Sequence, residues 1–173
     1  MRRPGDKYYT PEWAVDQLLA EIKLEGVVLE PFSGTGQISR AIAVLGHEVI
    51  TNDINLQDPT HHHLDLYYPN NWNELPNPSW VITNPPFILV DRVIPLAYQK
   101  ASIGLATLLR LSFLEPTYGR QDFLVQHPPT MIIVLPRISF TGDGKTDSVT
   151  TAWFVWLKSQ PWAAQRIKIV PKL

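Results

Sequence analysis

The chain has 173 residues, 45% hydrophobic and 18% charged, with a formal net charge of −1. That is enough apolar surface for one packed core and too little positive charge for a global field that gathers polyanions. Cysteine is absent, which excludes disulfides, thiolate metal ligands and a thiol nucleophile, and no apolar run approaches the roughly 20 residues of a membrane-spanning helix.

Arg2-Arg3 is not followed by an apolar segment and so does not begin a signal peptide; a cytoplasmic location is the expectation. The 16 prolines are spread through the connections, which suggests short rigid loops. Residues 1–9 are polar and irregular, ending in Tyr8-Tyr9. Thr10-Pro11 then opens a helix, with Thr10 as its N-cap and Pro11 at the first helical position. Ala14, Val15, Leu18, Leu19 and Ile22 keep helical spacing, and Gly26 ends the run. Residues 27–30 read as a strand, apolar until Glu30. Pro31-Phe32-Ser33-Gly34-Thr35-Gly36 is a loop of small residues, and 37–45 is a helix closed by Gly46. Strand, glycine loop and helix in succession form half of a nucleotide-binding unit. The glycines permit close approach of a ligand, and the helix N-terminus offers unpaired N–H donors to a phosphate or carboxylate.

Residues 48–53 read as the next strand, with Asp53 at its C-terminal end, 17 residues past Gly36. An acid there can accept hydrogen bonds from both ribose hydroxyls of an adenosine. A third strand is expected over 61–66, again near an acid, Asp65, followed by a Pro/Asn-rich loop over 67–79. Trp80-Val81-Ile82-Thr83 is a fourth, buried strand running into Asn84-Pro85-Pro86-Phe87. Proline donates no backbone hydrogen bond and forces the preceding residue into an extended conformation, so the strand stops at Asn84. The Asn84 amide and the Pro85 carbonyl then project from a stiff strand end beside an aromatic ring. Two acceptors and a ring suit a flat heterocycle bearing an exocyclic amine.

A helix over 88–101, bent near Pro95, and a fifth strand over 105–111 follow. A long connection spans 112–129, with a short helix around 120–125. A sixth strand covers 131–135 and a seventh 151–157; the loop between them has no room for a crossover helix, so the pair should be antiparallel. Residues 166–170 read as a further edge strand with no assigned role. The whole implies one α/β domain over 1–173: a doubly wound, seven-stranded, mainly parallel Rossmann-like sheet with an antiparallel last strand, binding ligands beyond the carboxyl ends of its strands.

Several of these segments together resemble one family, the class I S-adenosylmethionine-dependent methyltransferases, in particular the branch that methylates the adenine amino group, and small phage- or prophage-encoded adenine methylases within it. Glu30-Pro31-Phe32-Ser33-Gly34-Thr35-Gly36 is similar to the family's methionine-binding loop. Asp53, with Ile54 beside it, matches the ribose-binding acid. Asp65, with Leu66, matches the residue beside the cofactor adenine. Asn84-Pro85-Pro86-Phe87 matches the Asp/Asn-Pro-Pro-aromatic catalytic motif in its adenine-type form. Tyr8-Tyr9-Thr10-Pro11 resembles the N-terminal segment that closes over the cofactor. The resemblance thus implies S-adenosyl-L-methionine as cofactor, held by Tyr8, Thr10, Glu30, Phe32, Ser33, Gly34, Gly36, Asp53, Ile54, Asp65, Leu66 and Asn84. It implies catalysis by Asn84, Pro85, Pro86 and Phe87, and a nucleic-acid partner, DNA first. Members that act on specific DNA sequences usually carry a separate target-recognition region, and no segment here is long enough to be one.

Phe87 would stack on the base. Arg110, Arg137 and Lys145, with Arg120, fall in or beside connections near the active face and could contact phosphates, although each such residue is more often a solvated charge. RNA adenine and a protein glutamine are alternative substrates, and a methyltransferase fold kept as a non-catalytic binding subunit is an alternative of another class. A dehydrogenase is disfavoured because the third glycine of Gly-x-Gly-x-x-Gly is replaced by Ser39. No metal is expected: His61-His62-His63 lacks further ligands at suitable spacing and reads as a solvent-facing edge. Glu30 can equally be a structural N–H acceptor beneath the loop, and Asp65 a simple strand-end cap.

Overall fold

The computed structural model describes residues 10–138, 149–159 and 165–172. Seven strands among them form one sheet: β1 (Val28–Glu30), β2 (Val49–Thr51), β3 (Trp80–Thr83), β4 (Gly104–Arg110), β5 (Met131–Val134), β6 (Thr151–Leu157) and β7 (Arg166–Ile169). Their spatial order is β2-β1-β3-β4-β6-β5-β7. All neighbours run parallel except where β6 lies antiparallel between β4 and β5.

Both faces of the central strands are covered, so their side chains alternate between two apolar layers. On β6, Trp153 and Val155 join the layer of α1 (Glu12–Leu19) and α2 (Gln37–Val44), with Val15, Leu18, Ile38 and Ile42. Phe154 and Trp156 join the opposite layer of α3 (Val90–Lys100), with Val93, Ile94 and Phe113. A short helix, α4 (Gln121–Gln126), packs on that second layer through Phe123 and Leu124. Each large side chain fully withdrawn from water contributes about 1.5–3 kcal/mol. The tryptophans also tether elements: Trp153 Nε1 donates to the Ala14 carbonyl at 2.7 Å, and Trp156 Nε1 to the His127 carbonyl at 2.8 Å. Trp80 lies flat over Gly104, its register partner; a Cβ there would sit 2.6 Å from the ring.

Three expectations are corrected. Residues 61–66 form no strand: a single parallel bridge joins Asn52 to His62. Side chains take the place of the ladder. The Asn52 amide donates to the Leu64 carbonyl at 3.1 Å and accepts the Leu64 N–H at 2.8 Å, while His61 Nδ1 accepts the Thr51 N–H at 3.0 Å. The seventh strand is instead Arg166–Ile169, parallel to β5, so it follows the antiparallel β6. Within the Pro/Asn-rich loop expected over 67–79, Pro69–Glu74 coils into a 3₁₀ helix. Finally, α1 starts at Glu12 with Pro11 before it, receives no side-chain cap from Thr10, and stops at Leu19. Gly26, at φ +70°, belongs to the turn into β1, where any Cβ would collide with Ser79. Among the described residues no helix is long and apolar enough to cross a membrane.

Candidate functional site

The parallel strands β1 to β4 all end at one edge of the sheet. There β1 has β2 on one side and β3 on the other, so the order reverses between β1 and β3, the place where open α/β sheets form a ligand crevice. The register pairs Val28 with Trp80 and Leu29 with Val81. The glycine loop after β1 and the Asn-Pro-Pro-Phe segment after β3 therefore leave the sheet side by side, on strands about 4.8 Å apart.

The loop is stitched to the end of β2. The Ser33 N–H and hydroxyl both donate to the Asn52 carbonyl, at 3.0 and 3.3 Å. The Asn52 side chain donates to the Pro31 carbonyl at 3.0 Å. Asp53, buried at 2% exposure, accepts the Gly34 N–H on one carboxylate oxygen and the Asn55 N–H on the other, each at 2.9 Å. Gly34 and Gly36 hold the left-handed φ values, +51° and +81°, that this turn demands and that other residues adopt at a cost. Gly36 is the residue from which α2 departs.

Glu30 is buried beneath the loop, and its carboxylate accepts the Ser39 N–H at 2.8 Å. That N–H lies in the first turn of α2, where no backbone partner exists. Burial pushes the Glu30 carboxyl well above its usual range; the Ser39 bond and Arg40 pull it down, and nearby Asp53 pushes it further up. In position Glu30 acts on the helix end. Its folded pKa is the higher one, so its contribution to stability is complete below the unfolded value near 4.5 and is lost as pH rises through the folded value. Glu30→Gln keeps an acceptor for Ser39 and removes the titration. The expected outcome is a melting temperature that falls less than the parent's as pH rises above the unfolded value near 4.5, measured by thermal denaturation of the ligand-free protein.

The other expected cofactor contacts are spread along the same edge. Phe32 is half-buried and meets the Trp72 ring edge-on, with centroids 6.5 Å apart. Ile54 is exposed and Leu66 buried. Asp65 Oδ1 accepts the Tyr67 N–H at 3.0 Å, so its carboxylate caps a turn. His61 and His63 are exposed, as expected, and their rings also form hydrogen bonds. His63 Nδ1 lies 3.0 Å from the Asp53 carbonyl, and both rings brace the end of β2. Tyr8 and Lys145 lie outside the described residues.

Beyond β3, Asn84 Nδ2 donates to the Thr10 hydroxyl at 3.1 Å, while Asn84 Oδ1 is buried and accepts no hydrogen bond from the described residues. Pro85 is buried and Pro86 half-buried, and a 3₁₀ turn over Phe87–Leu89 leads into α3. The Arg110 guanidinium, at the end of β4, sits 4.6 Å from the Phe87 ring centroid, and its Nε is buried without an acceptor among the described residues. Arg120 is committed elsewhere, in an ion pair with Asp91 at 2.9 Å and over the Phe113 ring. Arg137 is exposed, three residues past β5 on the same edge of the sheet. Sequence reasoning missed three participants: Asn52 as the latch between loops, Asn55 as the second donor to Asp53, and the stacking of Arg110 on Phe87. The first two follow an apolar strand as Asn-Asp-Ile-Asn, a cluster of side chains that bond nearby backbone, which was a usable signal. The third had none.

By sequence, no family model and no curated protein matches the chain. Solved structures do match it. The M protein of the EcoKI type I restriction enzyme superposes with a TM-score of 0.69 at 14% identity, over 96% of this chain and 50% of that one. The fold is that of the class I methyltransferases. The methyltransferase subunit of a type I restriction-modification system from Streptococcus thermophilus matches with a TM-score of 0.62 at 16% identity, over 88% of this chain and 45% of its own. The precorrin-6y C5,15-methyltransferase of Geobacter metallireducens matches with a TM-score of 0.60 at 14% identity, covering 88% of this chain and 91% of its own. The present chain spans about half the length of the restriction-modification subunits it matches. At such identities the methyltransferase fold is what is shared, and proteins named for quite different substrates share it.

Proposed function

We propose that this chain is an S-adenosylmethionine-dependent methyltransferase acting on an exocyclic amino nitrogen, with N6 of adenine in DNA as its substrate. The observation that carries this reading is Asn84 Oδ1: a buried acceptor without a hydrogen bond among the described residues, at the end of β3 and beside the glycine loop of β1. A buried unpaired amide oxygen costs about 1–3 kcal/mol, and a bound amine N–H removes that cost. The residues around it fit the cofactor: left-handed glycines, with open space where a Gly34 Cβ would lie, border the N-terminus of α2, and the carboxylate of Asp53 faces the same loop.

The cofactor would supply an electrophilic methyl on a sulfonium, for transfer to the amino nitrogen with breakage of the carbon–sulfur bond. The chain's own work is orientation and stabilisation of developing charge. The adenine amine is a poor nucleophile because its lone pair is delocalised into the ring. Asn84 Oδ1 and the Pro85 carbonyl would each accept one N–H, favouring a pyramidal nitrogen with its lone pair aimed at the methyl. As positive charge builds on nitrogen, both acceptors strengthen; the surplus proton then leaves to solvent, so no tuned general base is required. Phe87 would stack on the base, worth about 1–3 kcal/mol, and it meets the base as a ring already backed by the Arg110 guanidinium. In a duplex the target adenine must first be flipped out, at a cost of a few kcal/mol. With a net charge of −1, affinity for the polymer should rest on local cations such as Arg110 and Arg137 and should fall steeply with salt.

The test is transfer of labelled methyl to a panel of duplex DNA, single-stranded DNA, RNA and protein, followed by nucleoside digestion. Label in N6-methyladenosine of the deoxy series is the expected result. Label in RNA or in glutamine would move the substrate to another polymer, and cofactor binding without transfer to any member would favour a binding subunit.

A further inference from the structure

Thr10 immediately precedes Pro11 and α1, the place where a threonine ordinarily caps a helix. It does not cap this one: α1 has no side-chain cap. Thr10 is instead 3% exposed, and its hydroxyl accepts from Asn84 Nδ2 across 74 positions of sequence. The other end of the same amide, Oδ1, is buried and unpaired. We propose that Thr10 is a positioning residue for methyl transfer: by holding the NH₂ end of the Asn84 amide it fixes the amide plane and leaves the carbonyl oxygen toward the incoming amine. This rests on the proposed function, and it gives Thr10 a role distinct from contact with the cofactor.

The physical case lies in the symmetry of a carboxamide. Its two ends are nearly the same size, so packing alone does not decide which end faces the substrate; hydrogen-bond partners do. An amine N–H needs an acceptor. A rotated Asn84 would present two donors to two donors, and an unheld one would sample several planes. A hydroxyl can both accept and donate, and here it accepts, which is the arrangement that leaves Oδ1 for the substrate.

Thr10→Val keeps the shape and removes the hydroxyl, whereas Thr10→Ser keeps the hydroxyl. With the full chain, S-adenosylmethionine and an adenine-containing substrate that the parent methylates, Thr10→Val is expected to lower kcat about 10- to 100-fold, a part of the loss typical of removing one charge-stabilising group. Its cofactor Kd should stay within about threefold of the parent, and Thr10→Ser should recover most of kcat. The side-chain amide signals of Asn84 in ¹⁵N NMR should shift in Thr10→Val and stay in place in Thr10→Ser. If Thr10→Val does not fold, Thr10→Ala is read in the same way. An unchanged kcat, or a raised cofactor Kd with kcat at saturation intact, overturns the proposal. Should the parent itself transfer no methyl, the functional reading fails separately, and Asn84 signals unmoved by Thr10→Val would still overturn the clasp.

Discussion

Asn84→Ala is expected to reduce methyl transfer by at least 10²–10³-fold, the loss typical when one preorganised group facing developing charge is removed, with cofactor affinity within a few-fold of the parent. The split follows from placement. Asn84 Oδ1 is the unpaired acceptor at the strand end, whereas the loop that would carry the cofactor is built from the other side, by Ser33, Gly34, Asn52 and Asp53. Single-turnover kinetics with saturating cofactor, beside calorimetry of cofactor binding, separates the two quantities. A variant that transfers methyl at near parental rate would remove Asn84 from the mechanism. Because Asn84 also holds Thr10, a modest fall in melting temperature should accompany the change. Most neighbouring residues are packed by the sheet rather than by this contact, so the fold should survive.

Asp53→Ala should have the second largest effect, and the opposite one. Asp53 is buried, and its two oxygens take the N–H groups of Gly34 and Asn55. Hydrogen bonds to a charged group contribute about 1.5–3 kcal/mol each, so the substitution unfastens the loop after β1 from the end of β2 in addition to removing the acid assigned to the ribose. At 1.4 kcal/mol per tenfold, a loss of cofactor affinity of at least about 30-fold is expected, with kcat at saturating cofactor far less altered than in Asn84→Ala. Unchanged affinity by calorimetry would contradict the ribose assignment.

What could be read beforehand was whatever is encoded locally. The two prolines after Thr83 fixed where β3 stops, and that stop is seen at Thr83. The apolar run over 151–157 was legible as a strand, but its place between β4 and β5, buried on both faces, was not, because it was expected to be the last strand of the sheet. The absence of a crossover helix made β6 antiparallel to β5, as found. The failures lie where distant residues meet. Thr10 before Pro11 has every local mark of a helix cap, and only the folded chain brings it to Asn84. Residues 61–66 lack a strand ladder because the Asn52 and His61 side chains serve the same donors and acceptors, and no periodicity reports such a substitution. Arg166–Ile169 was legible as a strand, but its parallel place beside β5 depends on where the chain returns. The partnership of Arg110 with Phe87 required the register of β3 against β4, in which Thr83 lies opposite Thr107.

The central claim is that a cofactor methyl, held by the loop after β1, lies against the amide of Asn84 at the end of β3. Nuclear Overhauser spectroscopy with S-adenosylmethionine labelled with ¹³C at that methyl measures this directly. Cross-peaks from the bound methyl to the Asn84 side-chain amide protons are the predicted result. A tightly bound cofactor whose methyl shows contacts only to residues away from the ends of β1 and β3 would contradict it.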